Sequence, residues 1–132
     1  KQIGADSILL IIRILSDENY IKFYNLAESL GLSVIVEIHN EEELDLALKA
    51  DINILGINNR NLDTLSTNLE TFETLSSMVP KGIYKIAESG IRNSEDATRM
   101  INSGANGLLV GESIIKSKNI QEIISDIASK NV

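Results

Sequence analysis

The chain has 132 residues, of which 43% are hydrophobic and 23% charged, and its formal net charge is −7. This length suffices for one domain with a buried core, and the negative charge argues against a nucleic-acid or anionic-membrane surface, since both need clustered Lys and Arg. The absence of cysteine and the single histidine, His39, exclude disulfides, thiolate catalysis and multi-cysteine or multi-histidine metal centres. No apolar run reaches the roughly 18 residues of a membrane helix, and residues 1–6 lack the apolar region of a signal peptide, so we expect a cytoplasmic protein.

Five short, β-rich apolar runs alternate along the chain with five longer amphipathic segments. Runs that are apolar almost throughout are typical of parallel strands covered on both faces, and they predict strands at 7–12, 34–38, 52–57, 83–87 and 107–110. The intervening segments predict helices at 18–30, 41–49, 69–77, 94–102 and 120–129. Ser16, Asn40 and Asn93 are suited to cap helix starts, and Gly31 and Gly104 to end helices.

This order of elements is five consecutive βα units, which requires a parallel sheet with right-handed crossovers. Two architectures fit the periodicity: a five-stranded doubly wound sheet, or five-eighths of a (β/α)₈ barrel. The length favours the first, because a complete barrel usually needs roughly 250 residues, whereas the residues at the strand ends favour the second. In both architectures the active site lies at the C-terminal ends of the strands.

Polar side chains stand at those strand ends. Glu37 interrupts an apolar run, where a carboxylate is costly to bury unless it is partnered or its pKa is raised. Glu88 lies at the equivalent height two strands later, so the two acids could pair with a cationic group or move protons. Asn58 and Arg60 share one loop and are suited to a substrate hydroxyl and a carboxylate. The alternatives are a loop acid paired with lysine and ordinary turn chemistry, and we interpret His39 as a supporting loop residue rather than a base.

Two glycine-containing turns follow the last two predicted strands. Ser89-Gly90 and Gly111-Glu112-Ser113 each place a glycine where the backbone can approach an anion and turn its N–H groups inward. The continuation at 114–116 fits a short extra helix, as in the phosphate sites of many barrels. Each glycine alone is better explained by a turn, but the pair, one βα unit apart, predicts a phosphate site.

Taken together, five strand-end motifs closely resemble indole-3-glycerol phosphate synthase in order and spacing. The motifs are Gly4-Ala5-Asp6-Ser7-Ile8-Leu9-Leu10-Ile11, Val36-Glu37-Ile38-His39, Gly56-Ile57-Asn58-Asn59-Arg60-Asn61-Leu62, Ala87-Glu88-Ser89-Gly90-Ile91 and Val110-Gly111-Glu112-Ser113. The combination is specific, although its Ser-Gly and Gly-Glu-Ser parts alone would suit several phosphate-binding barrels. The resemblance covers essentially the whole chain and implies an α/β fold, a partial (β/α)₈ TIM barrel. In it, residues 1–132 form one domain of five βα units, strands four to eight, with the N-terminal units absent.

The resemblance also implies a reaction and a set of site residues. The family closes the indole ring of 1-(2-carboxyphenylamino)-1-deoxyribulose 5-phosphate with loss of CO₂ and water, using no metal or organic cofactor. By matching position, the implied catalytic residues are Glu37, for proton transfer around the ribulose hydroxyls, and Asn58, near the reacting carbons. The implied substrate-binding residues are Leu9, Arg60, Glu88 and Ser89, with Leu9 an apolar wall for the aromatic ring and Arg60 on the anthranilate side. The implied phosphate-binding residues are Ser89, Gly90, Gly111 and Glu112, the last two through backbone N–H groups.

One part of the family's pattern has no counterpart in these 132 residues. The family's general-acid lysine on strand three, and a lysine and a glutamate on strand one, precede residue 1, and no lysine here occupies a corresponding place. Since ring closure needs an acid to polarise the carbonyl and expel water, we expect little or no synthase activity from the chain alone.

The expected partners are a phosphorylated small molecule and another polypeptide, with no nucleic acid and no membrane. An open five-strand sheet leaves two unpaired edges, which predicts a homo-oligomer or association with the missing N-terminal half. Two other functions remain open. One is another phosphate-binding barrel, such as phosphoribosylanthranilate isomerase or the tryptophan synthase α subunit, in which Glu37 and the loop of Asn58 and Arg60 would lack a match. The other is a non-catalytic oligomerising half-barrel module.

Overall fold

A computed structural model describes residues 4–128, in which strands and helices alternate from end to end. The strands are β1 (Ser7–Ile11), β2 (Ser33–Ile38), β3 (Ile54–Asn58), β4 (Tyr84–Glu88) and β5 (Gly107–Leu109). The helices are α1 (Asp17–Ser29), α2 (Glu41–Ala47), α3 (Glu70–Ser76), α4 (Ser94–Asn102), α5 (Glu112–Lys116) and α6 (Ile120–Ala128). A 3-10 turn, Ile12–Ile14, follows β1 directly.

The helix ends follow the punctuation in the sequence. Ser16, Asn40 and Asn93 each accept a hydrogen bond from the backbone N–H three residues ahead, at 3.4, 2.8 and 2.9 Å. Side-chain acceptors at these positions satisfy donors that the first turn of a helix leaves free. Gly31 and Gly104 follow α1 and α4 with φ of 66° and 94°, a conformation that glycine adopts without strain. The five predicted helices and their caps are therefore confirmed, except residue 129, which lies outside the described residues.

The five strands form one parallel sheet in the order β1-β2-β3-β4-β5. The register places Ile11, Glu37, Gly56 and Ile86 side by side, and the next step along the same face places Asn58 beside Glu88. Because parallel strands all point the same way, the ends of β2, β3 and β4 meet at one rim of the sheet. The predicted α/β class with five consecutive βα units is confirmed. β3 and β4 begin and end one or two residues later than predicted, so Asn58 and Glu88 are the last strand residues.

The two faces of the sheet differ sharply. Alternate side chains point to opposite faces, and the face that the helices cover is built from buried apolar side chains, among them Val36, Leu55, Ile57 and Ala87. The other face, called the open face here, has no helix against it in the described range, and its apolar residues are exposed or half-buried. Its most exposed members are Leu9 (46%), Tyr84 (63%) and Leu109 (50%). Glu37, Gly56, Asn58 and Glu88 lie on this open face, at its C-terminal rim.

Among residues 4–128, no helix is long and apolar enough to cross a membrane. Within the same range, no group of three or more His, Asp or Glu side chains is arranged to hold a metal ion.

Candidate active site

Two acidic side chains meet at the rim of the open face. Glu37 and Glu88 are 6% and 4% exposed, although Glu37 is the last residue but one of β2 and Glu88 the last residue of β4, both mainly apolar strands. β3 passes between them: its Gly56 is level with Glu37, two residues before the neighbour of Glu88, and a Cβ atom at Gly56 would overlap Oε1 of Glu88. Only a glycine therefore leaves room for the Glu88 carboxyl to reach Glu37 across the intervening strand. The ion pairs within residues 4–128 include none at Glu37 or Glu88. Within the described residues the two acids therefore partner each other.

The pair of Glu37 and Glu88 retains a proton at pH values at which a free carboxyl group has already lost it. Burial, then the negative charge of Glu37 and a hydrogen bond with it, raise the pKa of Glu88 to about 8. Two buried carboxylates in contact cannot both ionise cheaply. Oε1 of Glu88 is buried without a hydrogen-bond partner among the described residues. At neutral pH the pair thus keeps one shared proton, and a group of this kind can both donate and accept a proton.

Asn58 is oriented at both ends of its amide. Its Nδ2 donates to Oε1 of Glu37 at 3.1 Å, while its Oδ1 accepts from the backbone N–H of Arg60 at 2.9 Å. The Nδ1 of His39 lies 2.8 Å from the carbonyl oxygen of Asn58, and the backbone N–H of His39 donates to Glu43 at 2.7 Å. His39 therefore supports the backbone of Asn58 and does not enter the carboxyl pair. This is the supporting position expected from the sequence.

A cavity of about 990 Å³ opens beside the carboxyl pair, at the ends of β4 and β5. Five of the predicted site residues line it: Arg60, Ser89, Gly90, Gly111 and Glu112. The two turns after β4 and β5 are joined by Ser113, whose hydroxyl donates to the carbonyl of Ile91 at 2.6 Å. The short helix that the sequence indicated after the second turn is α5, and Lys116 at its end also lines the cavity.

The turn after β4 has an uncommon backbone. Ser89 and Gly90 have φ values of 64° and 82°, so two successive residues are left-handed. A Cβ at Gly90 would lie 2.5 Å from Cγ2 of Thr67, so only glycine fits there. Gly111 differs, because its φ is −123° and a Cβ would meet no atom within 4 Å. Neither Gly90 nor Gly111 donates its backbone N–H to an acceptor within residues 4–128. Both N–H groups are therefore available to an anion.

Three charged side chains of the cavity are joined by ion pairs. Arg60 pairs with Glu112, and Lys116 pairs with the same carboxylate at 2.5 Å. Hydrogen bonds from Lys116 and then Arg60 lower the pKa of Glu112 to about 2, so it is ionised at any ordinary pH. The Nε of Arg60 is buried without an acceptor among the described residues. The carboxylate of Glu112 thus offsets one of the two positive charges of Arg60 and Lys116, while its backbone remains on the cavity wall.

Leu9 is separate from these features. It lies on β1, on the open face, is 46% exposed and does not line the cavity. The structure therefore brings together two adjacent groups of predicted residues, namely the carboxyl pair with Asn58 and the cavity residues, and leaves Leu9 apart from both.

Two residues that shape the site, Asn59 and Gly56, were not predicted from the sequence. Asn59 is buried to 1% exposure and bonds to both neighbouring segments, yet an Asn-Asn pair is also common turn chemistry. Gly56 makes room for Glu88, and its signal was available, because a glycine inside an apolar strand marks a close approach.

Comparison with known proteins connects this geometry to one family. The family model for indole-3-glycerol phosphate synthase matches residues 1–127. The indole-3-glycerol phosphate synthase of Clostridium kluyveri is 44% identical over 133 residues, covering 98% of this chain and 50% of that protein. The proteins of the same name from Sulfurisphaera tokodaii and Staphylococcus aureus (strain Newman) are 43% and 39% identical, covering 92% and 100% of this chain and 50% and 51% of theirs. The chain thus spans about half the length of the curated relatives that it matches.

Solved structures agree on the fold. The 3-hexulose-6-phosphate synthase from Salmonella typhimurium superposes with a TM-score of 0.80 at 16% identity, covering 97% of this chain and 62% of that one. The thiamine phosphate pyrophosphorylase from Pyrococcus furiosus superposes with a TM-score of 0.72 at 19% identity, covering 96% and 59%. Identities this low show the fold alone, and they support the partial α/β barrel over the doubly wound sheet.

Proposed function

Because the chain belongs to the indole-3-glycerol phosphate synthase family, we propose that it forms the anion-binding and proton-transferring part of that enzyme's site in the cytoplasm. The proposed substrate is 1-(2-carboxyphenylamino)-1-deoxyribulose 5-phosphate, which closes to an indole with loss of CO₂ and water. The observation that carries the proposal is one rim on which a carboxyl pair sharing a proton lies beside a cavity with two free backbone N–H groups.

The carboxyl pair fits the proton transfers of such a reaction. Expulsion of a hydroxyl as water consumes a proton, and formation of the aromatic ring releases one. Glu88 holds a proton at neutral pH because its pKa is raised to about 8, and Glu37 beside it can accept one. The amide of Asn58, held against Glu37 at 3.1 Å, keeps that carboxylate aimed at the rim. We therefore propose Glu37 and Asn58 as catalytic residues and Glu88 as the partner that stores the proton.

The cavity fits the phosphate. The N–H groups of Gly90 and Gly111 are unused within the described chain, and Ser89 lies between Gly90 and the carboxyl pair. Backbone N–H groups bind phosphate without needing a net positive protein, which agrees with a chain of net charge −7. We propose that Ser89, Gly90, Gly111 and the backbone of Glu112 hold the phosphate, and that Arg60 faces the carboxylated ring of the substrate. Leu9 on β1 remains a proposed apolar contact for that ring.

Titration of the 132-residue chain with inorganic phosphate and with indole glycerol phosphate, followed by calorimetry and amide NMR, tests the proposal. We expect binding, with the largest shifts at Gly90 and Gly111. Gly90→Ala should abolish it, while Gly82→Ala is the matched control, since Gly82 also has positive φ (97°) but lies outside the cavity. Shifts at other residues only, or no binding of either ligand, would contradict the proposal.

A second proposal concerns assembly, and the specific observation behind it is the uncovered apolar surface. The open face exposes Leu9, Tyr84 and Leu109, and β1 and β5 are unpaired on their outer edges. Helices α1 and α6 also expose apolar side chains at helical spacing: Phe23 and Leu26 on α1, followed by Leu30 at its C-cap, and Ile120 and Ile124 on α6. Surfaces of this kind favour association. We propose that the chain alone forms a homo-oligomer with little or no synthase activity; a monomer in sedimentation, or ring closure by the isolated chain, would contradict this.

A further inference from the structure

Asn59 is an uncharged polar residue buried to 1% exposure, just past the end of β3. Burial of a primary amide is costly unless its donors and its acceptor all find partners. Asn59 touches none of the cavity, which is lined by its neighbour Arg60 and by the turn after β4. The burial of Asn59 therefore has a cause other than contact with a ligand in the cavity.

Asn59 bonds to two successive carbonyl groups of the neighbouring segment. Its backbone N–H donates to the carbonyl of Glu88 at 2.8 Å, and its side-chain Nδ2 donates to the carbonyl of Ser89 at 3.1 Å. The first bond continues the ladder between β3 and β4. In the second bond, the side chain of Asn59 takes the place of the next backbone donor. This happens at Ser89, where the backbone becomes left-handed. Asn59 thus fixes the peptide that begins the anion turn.

The direction of the amide is set from the opposite side. Oδ1 of Asn59 accepts from the backbone N–H of Phe72 at 3.1 Å, at the first turn of α3, and its carbonyl accepts from Asn68 at 2.9 Å. Because the backbone N–H of Phe72 needs an acceptor, the amide oxygen of Asn59 must face Phe72. The NH₂ group of the same amide must then face Ser89. The bonds therefore tie α3 to the turn through one rigid side chain.

A serine with φ of 64° is strained, and such a conformation persists only where neighbouring structure enforces it. Among residues 4–128, Asn59 is the only side chain that the structure shows bonded to the Ser89 backbone. We propose that Asn59 is a positioning residue that holds Ser89 and Gly90 in the left-handed form needed for anion binding. This inference rests on the proposed phosphate site, but its conformational part can be tested without a ligand.

The ligand-free test measures the Cα and Cβ chemical shifts of Ser89 in Asn59→Ala. We expect them to move from left-handed towards extended values. The matched control is Ser76→Ala, which removes another buried hydrogen bond, from Ser76 Oγ to the carbonyl of Ser103 at 2.8 Å, and should leave Ser89 unchanged. Left-handed Ser89 shifts in folded Asn59→Ala would overturn the inference whether or not phosphate binds.

The second test is a double-mutant cycle on inorganic phosphate affinity. Asn59→Ala should weaken binding about tenfold in the Ser89 background, but about twofold or less in a Ser89→Gly background, because glycine adopts positive φ without an anchor. Equal losses in both backgrounds would overturn the inference.

Two outcomes separate the inference from the proposed function. If the unsubstituted chain binds no phosphate, the proposed function fails, while the Ser89 shifts still decide the role of Asn59. If Asn59→Ala does not fold, the side-chain amide resonances of Asn59 are followed in the unsubstituted chain during phosphate titration. They should shift in parallel with the amide of Gly90, and a stationary Asn59 amide beside a moving Gly90 amide would overturn the inference.

Discussion

The carboxyl pair and the anion cavity lie side by side but are built in different ways. Glu37, Gly56 and Glu88 belong to regular strands, and the sheet register alone brings them together. The cavity is formed by turns, and its shape depends on left-handed residues and on hydrogen bonds from Asn59 and Ser113. A strand position tolerates little change in volume, whereas a turn is limited by backbone conformation. The four predictions that follow test this difference, from the largest expected effect to the smallest.

Gly56→Ala should have the largest effect, because the new methyl group overlaps Oε1 of Glu88 and displaces that carboxyl from the pair. We expect a loss of about 1–3 kcal/mol in the free energy of unfolding, typical of overpacking. Urea denaturation measures it, and the control is Gly107→Ala on β5, where a Cβ would make an ordinary 3.8 Å contact with Ile86. Similar losses in both variants would show that the strand interior, and not the pair, is responsible.

Glu88→Gln should change how stability depends on pH. The pKa of Glu88 is raised in the folded chain to about 8 from an ordinary value near 4.5. The contribution of protonated Glu88 to the free energy of unfolding is therefore fully present below about pH 4.5 and is lost as the pH rises towards 8. The unsubstituted chain should therefore lose stability across this window, on the order of a few kcal/mol. Glu88→Gln should flatten the slope, as measured by urea midpoints at a series of pH values. An unchanged slope in the variant would place the titrating group elsewhere.

Gly111→Ala should separate binding from stability. The added methyl group meets no atom within 4 Å, and φ is −123°, so the free energy of unfolding should change by less than about 0.5 kcal/mol. The methyl group nevertheless stands in the cavity, where it should weaken phosphate binding about tenfold by keeping the anion from the backbone. Calorimetry and urea denaturation on the same sample check both parts. Unchanged phosphate affinity would remove Gly111 from the site.

Glu112→Gln should have the smallest effect. The Glu112 carboxylate is exposed and pairs with Arg60 and Lys116, so its removal should hardly alter the thermal midpoint. Phosphate should bind a few-fold more tightly at low salt, since one negative charge beside the cavity is lost, and the gain should shrink as salt screens it. Since the pKa of Glu112 is about 2, its charge is constant above about pH 4, and the difference should change there only with the ionisation of phosphate itself. Weaker binding in Glu112→Gln would show that the carboxylate itself contributes to the site.

The sequence predicted those parts of the site that strand order alone determines. Glu37, Asn58 and Glu88 could be placed at one rim because apolar runs reveal strand ends, and parallel strands bring these ends together. The partner of Glu37 could not be predicted, because only the register places Gly56 between the acids and lets Glu88 reach across. From the sequence, the two acids could pair with a lysine or another cationic group, or move protons; among residues 4–128 the structure shows no ion pair at either acid.

For the cavity, the sequence predicted which residues form the turns but not the backbone conformation of those residues. The glycines of the two turns were identified, yet nothing in the sequence distinguished Gly90, which is sterically required, from Gly111, which is not. Asn59 looked like turn chemistry because its partners, Phe72 and Ser89, are 13 and 30 positions away along the chain. The Arg60–Glu112 ion pair spans 52 positions and depends on how two loops fold over one cavity.

A single peptide bond joins Glu88, the proposed proton store, to Ser89, which begins the turn proposed to bind an anion. Adjacent Cα atoms are about 3.8 Å apart whatever the fold does, so the backbone of Glu88 cannot be displaced without moving Ser89 as well. A change that shifts the end of β4 should therefore disturb the carboxyl pair and the neighbouring turn together.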